Sequence, residues 1–382
     1  MKKQIVWLDA VRLFAFFFLL CCHAADPFYA TATYANADVG GPVDPAMLTW
    51  GERWMAFVRP CVPLFVMITG ALMFPVRQSM GAFYKKRILR VLWPFLIWSV
   101  LYYLFPWITG LLGLDKSIVY TCFIWAESDS QSFQSSLANI LRIPYTFSFI
   151  AQHMWYIYML IGLYLYMPIF SAWVERATKR QMQVVLGLWG LSTFLPYFHQ
   201  FVSTYAFGTC TWNSFGLFYY FAGFNGYLLL GHYLRYHVNW SWSRTWPVAL
   251  VLLVAGFLVT YLGYGYIMSL PDKTPEMIEL FWTYNTINVA CMSAAWFLLL
   301  KHVSLPAESK AGRMLANLTF CGFGIYMVHY FFVGLCYQII QTFALPVCLR
   351  IPASALLIFA FSWILVSVVK KAMGRRAVYL MG

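Results

Sequence analysis

The chain has 382 residues, of which 62% are hydrophobic, 20% are aromatic and only 10% are charged. A soluble protein of this length could not bury that much apolar surface, so a soluble fold is excluded. The formal net charge of +13 raises the possibility of nucleic-acid binding. Membrane proteins, however, collect Lys and Arg in their cytoplasmic loops. We therefore predict an all-α integral membrane protein that contacts membrane lipid and no nucleic acid.

The apolar residues fall into ten blocks of about twenty residues, the length that crosses a bilayer core of roughly 30 Å. The predicted spans lie near residues 7–27, 54–75, 88–109, 151–172, 182–200, 214–234, 245–267, 279–300, 316–341 and 351–371. The apolar segment 117–126 is too short to span, so we expect an interfacial or re-entrant piece there. Short loops leave no room for a soluble domain, and we expect one membrane-embedded domain over residues 1–382.

The first block follows "MKKQIVW" and could be taken for a signal peptide. Asp9 and Arg12 interrupt its apolar run, and no small-residue cleavage site follows cleanly. We therefore expect an uncleaved first span.

Three polar side chains in the first span need an explanation, because an arginine within a span costs about 2.5–3.5 kcal/mol. Asp9 and Arg12 are three residues apart and can pair on one helix face. Arg12 and His23 are eleven residues apart. In an α-helix their side chains therefore point within about 20° of the same direction, and they are separated by roughly 16 Å along the axis. Arg12 alone could snorkel to the headgroups with Asp9 as partner, and His23 alone could be a hydrogen-bonded core histidine. Together on one face they favour a functional role.

The charged residues separate onto alternate loops. If the N-terminus is cytoplasmic, most of the 26 Lys and Arg residues lie inside, including the cluster Lys85, Lys86, Arg87 and Arg90. The acidic residues then lie mostly outside, among them Asp26, Asp38, Asp44, Asp115, Glu127 and Asp272. The positive-inside rule therefore places both termini in the cytoplasm.

The nine cysteines predict neither a disulfide framework nor a zinc site. Their number is odd and the spacing C-x-x-C is absent. Several lie within apolar blocks, where they act as small hydrophobes: Cys21, Cys22, Cys291, Cys321 and Cys336. We expect no bound metal.

"WLDAVR", ending at Arg12, and His23 after ten further residues resemble the start of acyltransferase family 3, bacterial integral-membrane O-acyltransferases that modify envelope glycans. Five later segments resemble further family elements in order: "VPLFVMITGALMF" (62–74), "FYKKRILRVLWPF" (83–95), "HMWYIYMLIGLYLYMPI" (153–169), "YYFAGFNGYLLLGHYL" (219–234) and "FCGFGIYMVHYFF" (320–332). In the first of these, Thr69-Gly70 replaces the usual Ser-Gly. R-x₁₀-H alone is a weak signal, but six elements in order are specific. The length and layout of the chain are similar to those of the small members of this family, which have no added hydrolase-like domain.

The resemblance implies an acyl-coenzyme A donor, supplied from the cytoplasm. His23 is the predicted base, since the pKa of histidine lies near neutrality. Arg12, with Asp9, would orient the donor or stabilise charge. Arg87 and Arg90 share a helix face and, with Lys86, would bind the coenzyme A phosphates. Ordinary positive-inside anchoring is the alternative, above all for the lysines.

Four residues are predicted to bind substrate: His153, Trp155, Tyr326 and His329. His153 and Trp155 could instead belong to an interfacial aromatic belt, and His329 could be a core histidine. For Arg59, at the outer end of the second span, snorkelling and function are equally open. Helix–helix hydrogen bonding accounts for Asn285 and Asn288.

Together with these residues, the resemblance implies an O-acetyltransferase of the bacterial inner membrane. It would transfer acetyl from acetyl-CoA to a hydroxyl of a cell-envelope glycan or lipid-linked saccharide. A succinyl or other short-chain transferase is the alternative in the same class. A transporter or flippase is the alternative in another class, although the paired halves of many transporters are not evident. Whether His23 acts as a base or briefly carries the acyl group stays open, as does the oligomeric state.

Overall fold

The computed structural model describes residues 5–33, 44–123, 130–202 and 215–382. Asp38 and Glu127 of the predicted outer loops lie outside these ranges. The α-helices in the described ranges are α1 (Val6–Thr33), α2 (Pro45–Val58), α3 (Cys61–Met73), α4 (Met80–Leu111), α5 (Lys116–Cys122), α6 (Phe133–Arg142), α7 (Trp155–Arg176), α8 (Lys179–Ser192), α9 (Leu195–Phe201), α10 (Asn225–His237), α11 (Trp242–Ser269), α12 (Pro275–Glu279), α13 (Ile287–Leu300), α14 (Lys310–Val328), α15 (Tyr330–Gln341), α16 (Val347–Met373) and α17 (Val378–Met381).

Seven helical segments within the described ranges are long and apolar enough to cross a membrane. They are Val6–Phe28, Pro45–Met73, Met80–Leu111, Phe149–Arg176, Trp242–Ser269, Lys310–Gln341 and Val347–Met381. Each overlaps one of the predicted spans. The prediction of an all-α, multi-pass membrane protein is therefore confirmed.

The other three predicted spans form shorter helices. The predicted span 182–200 overlaps α8 and α9, the span 214–234 overlaps the 13-residue α10, and the span 279–300 contains the 14-residue α13. Ten spans were predicted because an apolar block was treated as one continuous helix even where a helix ends inside it. α10, for example, begins only after Gly223, whose φ of 97° is incompatible with a right-handed helix. The segment 117–126, predicted to be too short to span, forms the seven-residue α5 in its described part.

The chain divides into two compact units. The first unit comprises Met1–Phe18, Met55–Arg77 and Ile169–Ala316; the second comprises Leu19–Trp54, Gln78–Pro168 and Asn317–Gly382.

In the first unit, α3 and α10 cross with their backbones in contact. A Cβ atom at Gly70 would lie 2.0 Å from the carbonyl oxygen of Leu228, and one at Gly231 would lie 2.0 Å from that of Met67. Small residues permit such close packing of helices in a membrane. Gly70 belongs to the Thr-Gly pair of the second predicted span, and this glycine has a structural role.

Polar contacts join other helices of the first unit. The Asn288 side-chain amide of α13 donates to Thr260 Oγ1 of α11 at 2.8 Å, in agreement with the predicted interhelical hydrogen bonding. For Asn285 that prediction is wrong, because its buried Oδ1 has no hydrogen-bond partner. Arg59 follows α2 and is 9% exposed, with its guanidinium 4.8 Å from the ring centroid of Trp282.

In the second unit, α4 is held against the α14–α15 pair by Tyr102. Its ring stacks on Phe331 at a centroid distance of 4.1 Å, and its hydroxyl donates to the Met327 carbonyl at 3.0 Å. On α15, Gly334 permits a close approach to the backbone of Thr121. These contacts fix the helices that carry the candidate site.

Candidate active site

His23 lies in the part of α1 that belongs to the second unit. The helix continues to Thr33, beyond the predicted end near residue 27, so Asp26, which was grouped with the acids of the outer loop, lies well within the helix. The two side chains are three residues apart and meet on one face. His23 Nδ1 donates to Asp26 Oδ2 at 3.2 Å, and the side chains are 15% and 18% exposed.

His153 is positioned by an irregular stretch of backbone. It lies in a 3₁₀ segment, Phe149–Met154, in which Ala151 has the non-helical angles φ −127° and ψ 40°. The irregularity leaves the His153 carbonyl available, and the Tyr326 hydroxyl donates a hydrogen bond to it. Irregular backbone at membrane depth is tolerated where it is buried in protein or lines a cavity. His153 is only 1% exposed.

His329 occupies the junction between α14 and α15. Its Nδ1 donates to the Tyr326 carbonyl at 2.8 Å, and the two rings, three residues apart, are 5.8 Å from centroid to centroid. His329 is fully buried. The predicted shared face of Tyr326 and His329 is present.

These histidines form one group, here called the histidine cluster: His23, His153 and His329. The ring centroid of His329 is 5.2 Å from that of His23 and 5.2 Å from that of His153. The rings of His23 and His153 are 6.5 Å apart. Tyr330 stacks on His153 at 4.8 Å. Helices distant in the sequence thus bring three imidazoles together inside the second unit.

Three nitrogen atoms of the histidine cluster are buried without a hydrogen-bond partner. They are Nδ1 and Nε2 of His153 and Nε2 of His329. Leaving a buried polar group unsatisfied costs about 1–3 kcal/mol, and such groups are rare in folded proteins. A neutral imidazole can donate through one nitrogen and accept through the other. The cluster can therefore bind both a hydroxyl group and a developing oxyanion.

Three further residues predicted for the site, Asp9, Arg12 and Trp155, are described by their own contacts. Asp9 and Arg12 form the predicted ion pair at 2.9 Å, on the part of α1 that belongs to the first unit. Trp155 is half-buried at the start of α7, with its ring 6.3 Å from that of Tyr156.

The predicted phosphate-binding residues lie on α4. Lys86 and Arg90 are exposed, whereas Arg87 is half-buried. Arg90 Nη2 donates to the Gly382 carbonyl oxygen at 3.3 Å. Twelve residues separate Arg90 from Tyr102, about 18 Å along a helix axis, and the ring of Tyr102 lies 5.1 Å from that of His153. One helix thus links the basic residues to the histidine cluster.

Two residues around the histidine cluster, Asp26 and Gln152, were not predicted as site residues from the sequence. Asp26 was grouped with the outer-loop acids, although its spacing from His23 equals that of Asp9 and Arg12 and could have revealed the pair. Gln152 donates to Tyr330 Oη at 2.5 Å. Gln152 does not stand out from its apolar and aromatic neighbours in the sequence, and only the fold brings it to the site.

Within the described ranges, no group of three or more His, Cys, Asp or Glu side chains is arranged to hold a metal ion. The cysteines in these ranges are free thiols.

Residues 5–368 match the model of acyltransferase family 3, described as an acyltransferase domain. No curated protein and no solved structure gives a significant match to the chain. The family match covers nearly the whole sequence and includes the helices that carry the histidine cluster. The chain therefore belongs to acyltransferase family 3 and is a multi-pass membrane enzyme that transfers an acyl group from a donor to an acceptor.

Proposed function

We propose that the chain is an O-acetyltransferase of the bacterial inner membrane. Acetyl-CoA from the cytoplasm is the donor, and a hydroxyl of a cell-envelope glycan or lipid-linked saccharide is the acceptor. The observation that carries the proposal is the histidine cluster, whose rings lie within 6.5 Å of one another. Its members come from three of the segments that resemble family motifs.

His23 is the general base in this proposal. It takes the proton of the acceptor hydroxyl while the oxygen attacks the thioester carbonyl carbon. The tetrahedral intermediate then collapses, the carbon–sulfur bond breaks, and the thiolate leaves. The imidazolium returns its proton to the thiolate. The products are one acetyl ester and one coenzyme A thiol.

His153 and His329 bind the reacting groups, with Tyr326 and Trp155 supporting the acceptor side. Both ring nitrogens of His153 are without a partner, so its N–H group can donate a hydrogen bond to the oxyanion. A preorganised donor in a dry site stabilises the negative charge that develops on that oxygen. His329 donates through Nδ1 to a carbonyl, which leaves a lone pair on Nε2. Nε2 of His329 can therefore accept a hydrogen bond from a sugar hydroxyl.

Arg87 and Arg90, with Lys86, bind the phosphate groups of the donor. A guanidinium presents a planar pair of donors that matches a phosphate. The separation of about 18 Å along α4 from Arg90 to Tyr102 suits a donor with phosphates at one end of a long flexible arm and the thioester at the other. Arg12, paired with Asp9 at 2.9 Å, would orient the donor or stabilise its charge.

The donor site has its own test. Arg87→Gln and Arg90→Gln should each raise the KM for acetyl-CoA about tenfold or more, because a charge-assisted hydrogen bond contributes about 1.5–3 kcal/mol. The KM for the acceptor should not change. Lys85→Gln, on the same helix turn, is the control. An unchanged donor KM in both arginine variants would remove these residues from the donor site.

The function is tested by incubating the purified protein in lipid with isotopically labelled acetyl-CoA and an envelope glycan fraction. Mass spectrometry of the glycan and a thiol assay should show labelled acetyl esters and free coenzyme A in equal amounts. Preferential transfer from succinyl-CoA would overturn the choice of donor. Solute uptake into vesicles without thiol release would favour the transporter alternative.

A further inference from the structure

The Asp26 carboxylate is in direct contact with the imidazole of His23. Oδ2 of Asp26 and Nδ1 of His23 are 3.2 Å apart. Both side chains are largely buried, at 15% and 18% exposure. Pro27 follows within the same helix. The pair is therefore built into one turn of α1.

This contact decides which nitrogen of His23 carries the proton. An ionised carboxylate can only accept a hydrogen bond, so Nδ1 must donate. In the neutral imidazole the lone pair is then on Nε2. When Nε2 takes up a proton, the resulting imidazolium faces a negative charge, and that attraction is strong where water is excluded.

The other two members of the histidine cluster lack this arrangement among the described residues. His329 Nδ1 faces the neutral carbonyl of Tyr326 at 2.8 Å. Both ring nitrogens of His153 are buried without a hydrogen-bond partner. A neutral carbonyl stabilises an imidazolium less than a carboxylate does. The pairing thus distinguishes His23 from its two neighbours.

We propose that Asp26 is the positioning residue for His23: it holds the tautomer with the lone pair on Nε2 and stabilises the imidazolium formed during acyl transfer. The inference rests on the proposed function, in which His23 is the base. It gives an acidic residue at the outer end of the first span a role in the reaction.

The test is Asp26→Asn in the purified enzyme. The asparagine amide can donate to Nδ1 and so place the proton on Nε2, where it blocks the base. We expect kcat to fall by about 10²–10⁴-fold, the range for loss of acid–base function or of the correct tautomer. Both KM values should stay within about twofold. Asp26→Glu, which keeps the carboxylate, should recover part of kcat. Asp272→Asn, an exposed acid in the first unit, is the matched control.

A second comparison asks whether Asp26 acts through His23. In a His23→Ala background, Asp26→Asn should cause little further loss, because residues that act as a unit are not additive. An additional loss as large as in the wild-type background would overturn the inference, as would Asp26→Asn with a wild-type kcat. If Asp26→Asn does not fold, as judged by size-exclusion chromatography, Asp26→Glu and Asp26→Ser provide the comparison.

The two proposals fail differently. Normal activity of His23→Ala would remove the base assignment and with it the role of Asp26. An inactive His23→Ala enzyme alongside a fully active Asp26→Asn enzyme would remove only the positioning role.

Discussion

Tyr326 connects two members of the histidine cluster through two different oxygen atoms. Its hydroxyl donates to the backbone carbonyl of His153, and its own carbonyl accepts from His329 Nδ1 at 2.8 Å. One residue thereby fixes the 3₁₀ segment that carries His153 and the tautomer of His329. Such support from outside the reacting atoms holds a site in its productive geometry.

Tyr326→Phe keeps the ring and removes only the hydroxyl. The buried His153 carbonyl then loses its donor, which should cost about 1–3 kcal/mol of stability, and kcat should fall more than either KM. Thermal denaturation and steady-state kinetics measure the two effects. Tyr145→Phe, at a residue that is 86% exposed, is the control. If stability and kcat are unchanged, the hydroxyl does not support the site.

At the residue scale the sequence supports the choice of cluster members but not their arrangement. The motif segments contain His23, His153, Tyr326 and His329, so these positions could be named. Their hydrogen-bond partners could not, because the Tyr326 hydroxyl reaches His153 across 173 residues of sequence. Asp26 lies at the end of the span predicted near residues 7–27 and was grouped with the outer-loop acids because of its charge, whereas the helix continues to Thr33.

At the scale of the elements, the crossing of α3 and α10 depends on two glycines. Gly70 and Gly231 each face backbone of the opposite helix at a distance that leaves no space for a Cβ atom. In a membrane, helices associate through such close packing, because lipid provides no hydrophobic drive between them.

Gly70→Ala and Gly231→Ala should each destabilise the first unit. Forcing a methyl group into a packed contact costs about 1–3 kcal/mol, so the melting temperature should fall. Gly187→Ala on α8 is the matched control, since a Cβ there meets nothing within 4 Å. That variant should be neutral or slightly stabilising, because Ala favours a helix over Gly. Equal melting temperatures for all three variants would contradict the account of this crossing.

Hydropathy predicts that a span exists, but it does not predict where its helix is interrupted. Ala151 falls at the start of a predicted span near residues 151–172, yet it lies in a 3₁₀ segment, Phe149–Met154, and has non-helical backbone angles. Tertiary contacts with Tyr326 stabilise this geometry, and they involve residues far away in sequence. The same limit applies to residues 214–234, where α10 occupies only the second half of the apolar run.

At the scale of the whole molecule, the distribution of charge predicts that both termini face the cytoplasm. A C-terminal fusion to green fluorescent protein should fluoresce in cells, and a fusion to alkaline phosphatase should be inactive. A fusion in the outer loop at Asp272 should give the opposite pattern. An active phosphatase at the C-terminus would reverse the orientation and would place Arg87 and Arg90 on the side away from cytoplasmic acetyl-CoA.

The most direct test of the account is acyl transfer by the His23→Ala enzyme, purified in lipid and compared with His237→Ala at a half-buried histidine of the first unit. The His23→Ala enzyme should insert, fold and keep its KM for acetyl-CoA but lose at least about 10²-fold in kcat, while His237→Ala should retain activity. A folded His23→Ala enzyme that acetylates its acceptor at the wild-type rate would show that His23 is not the base.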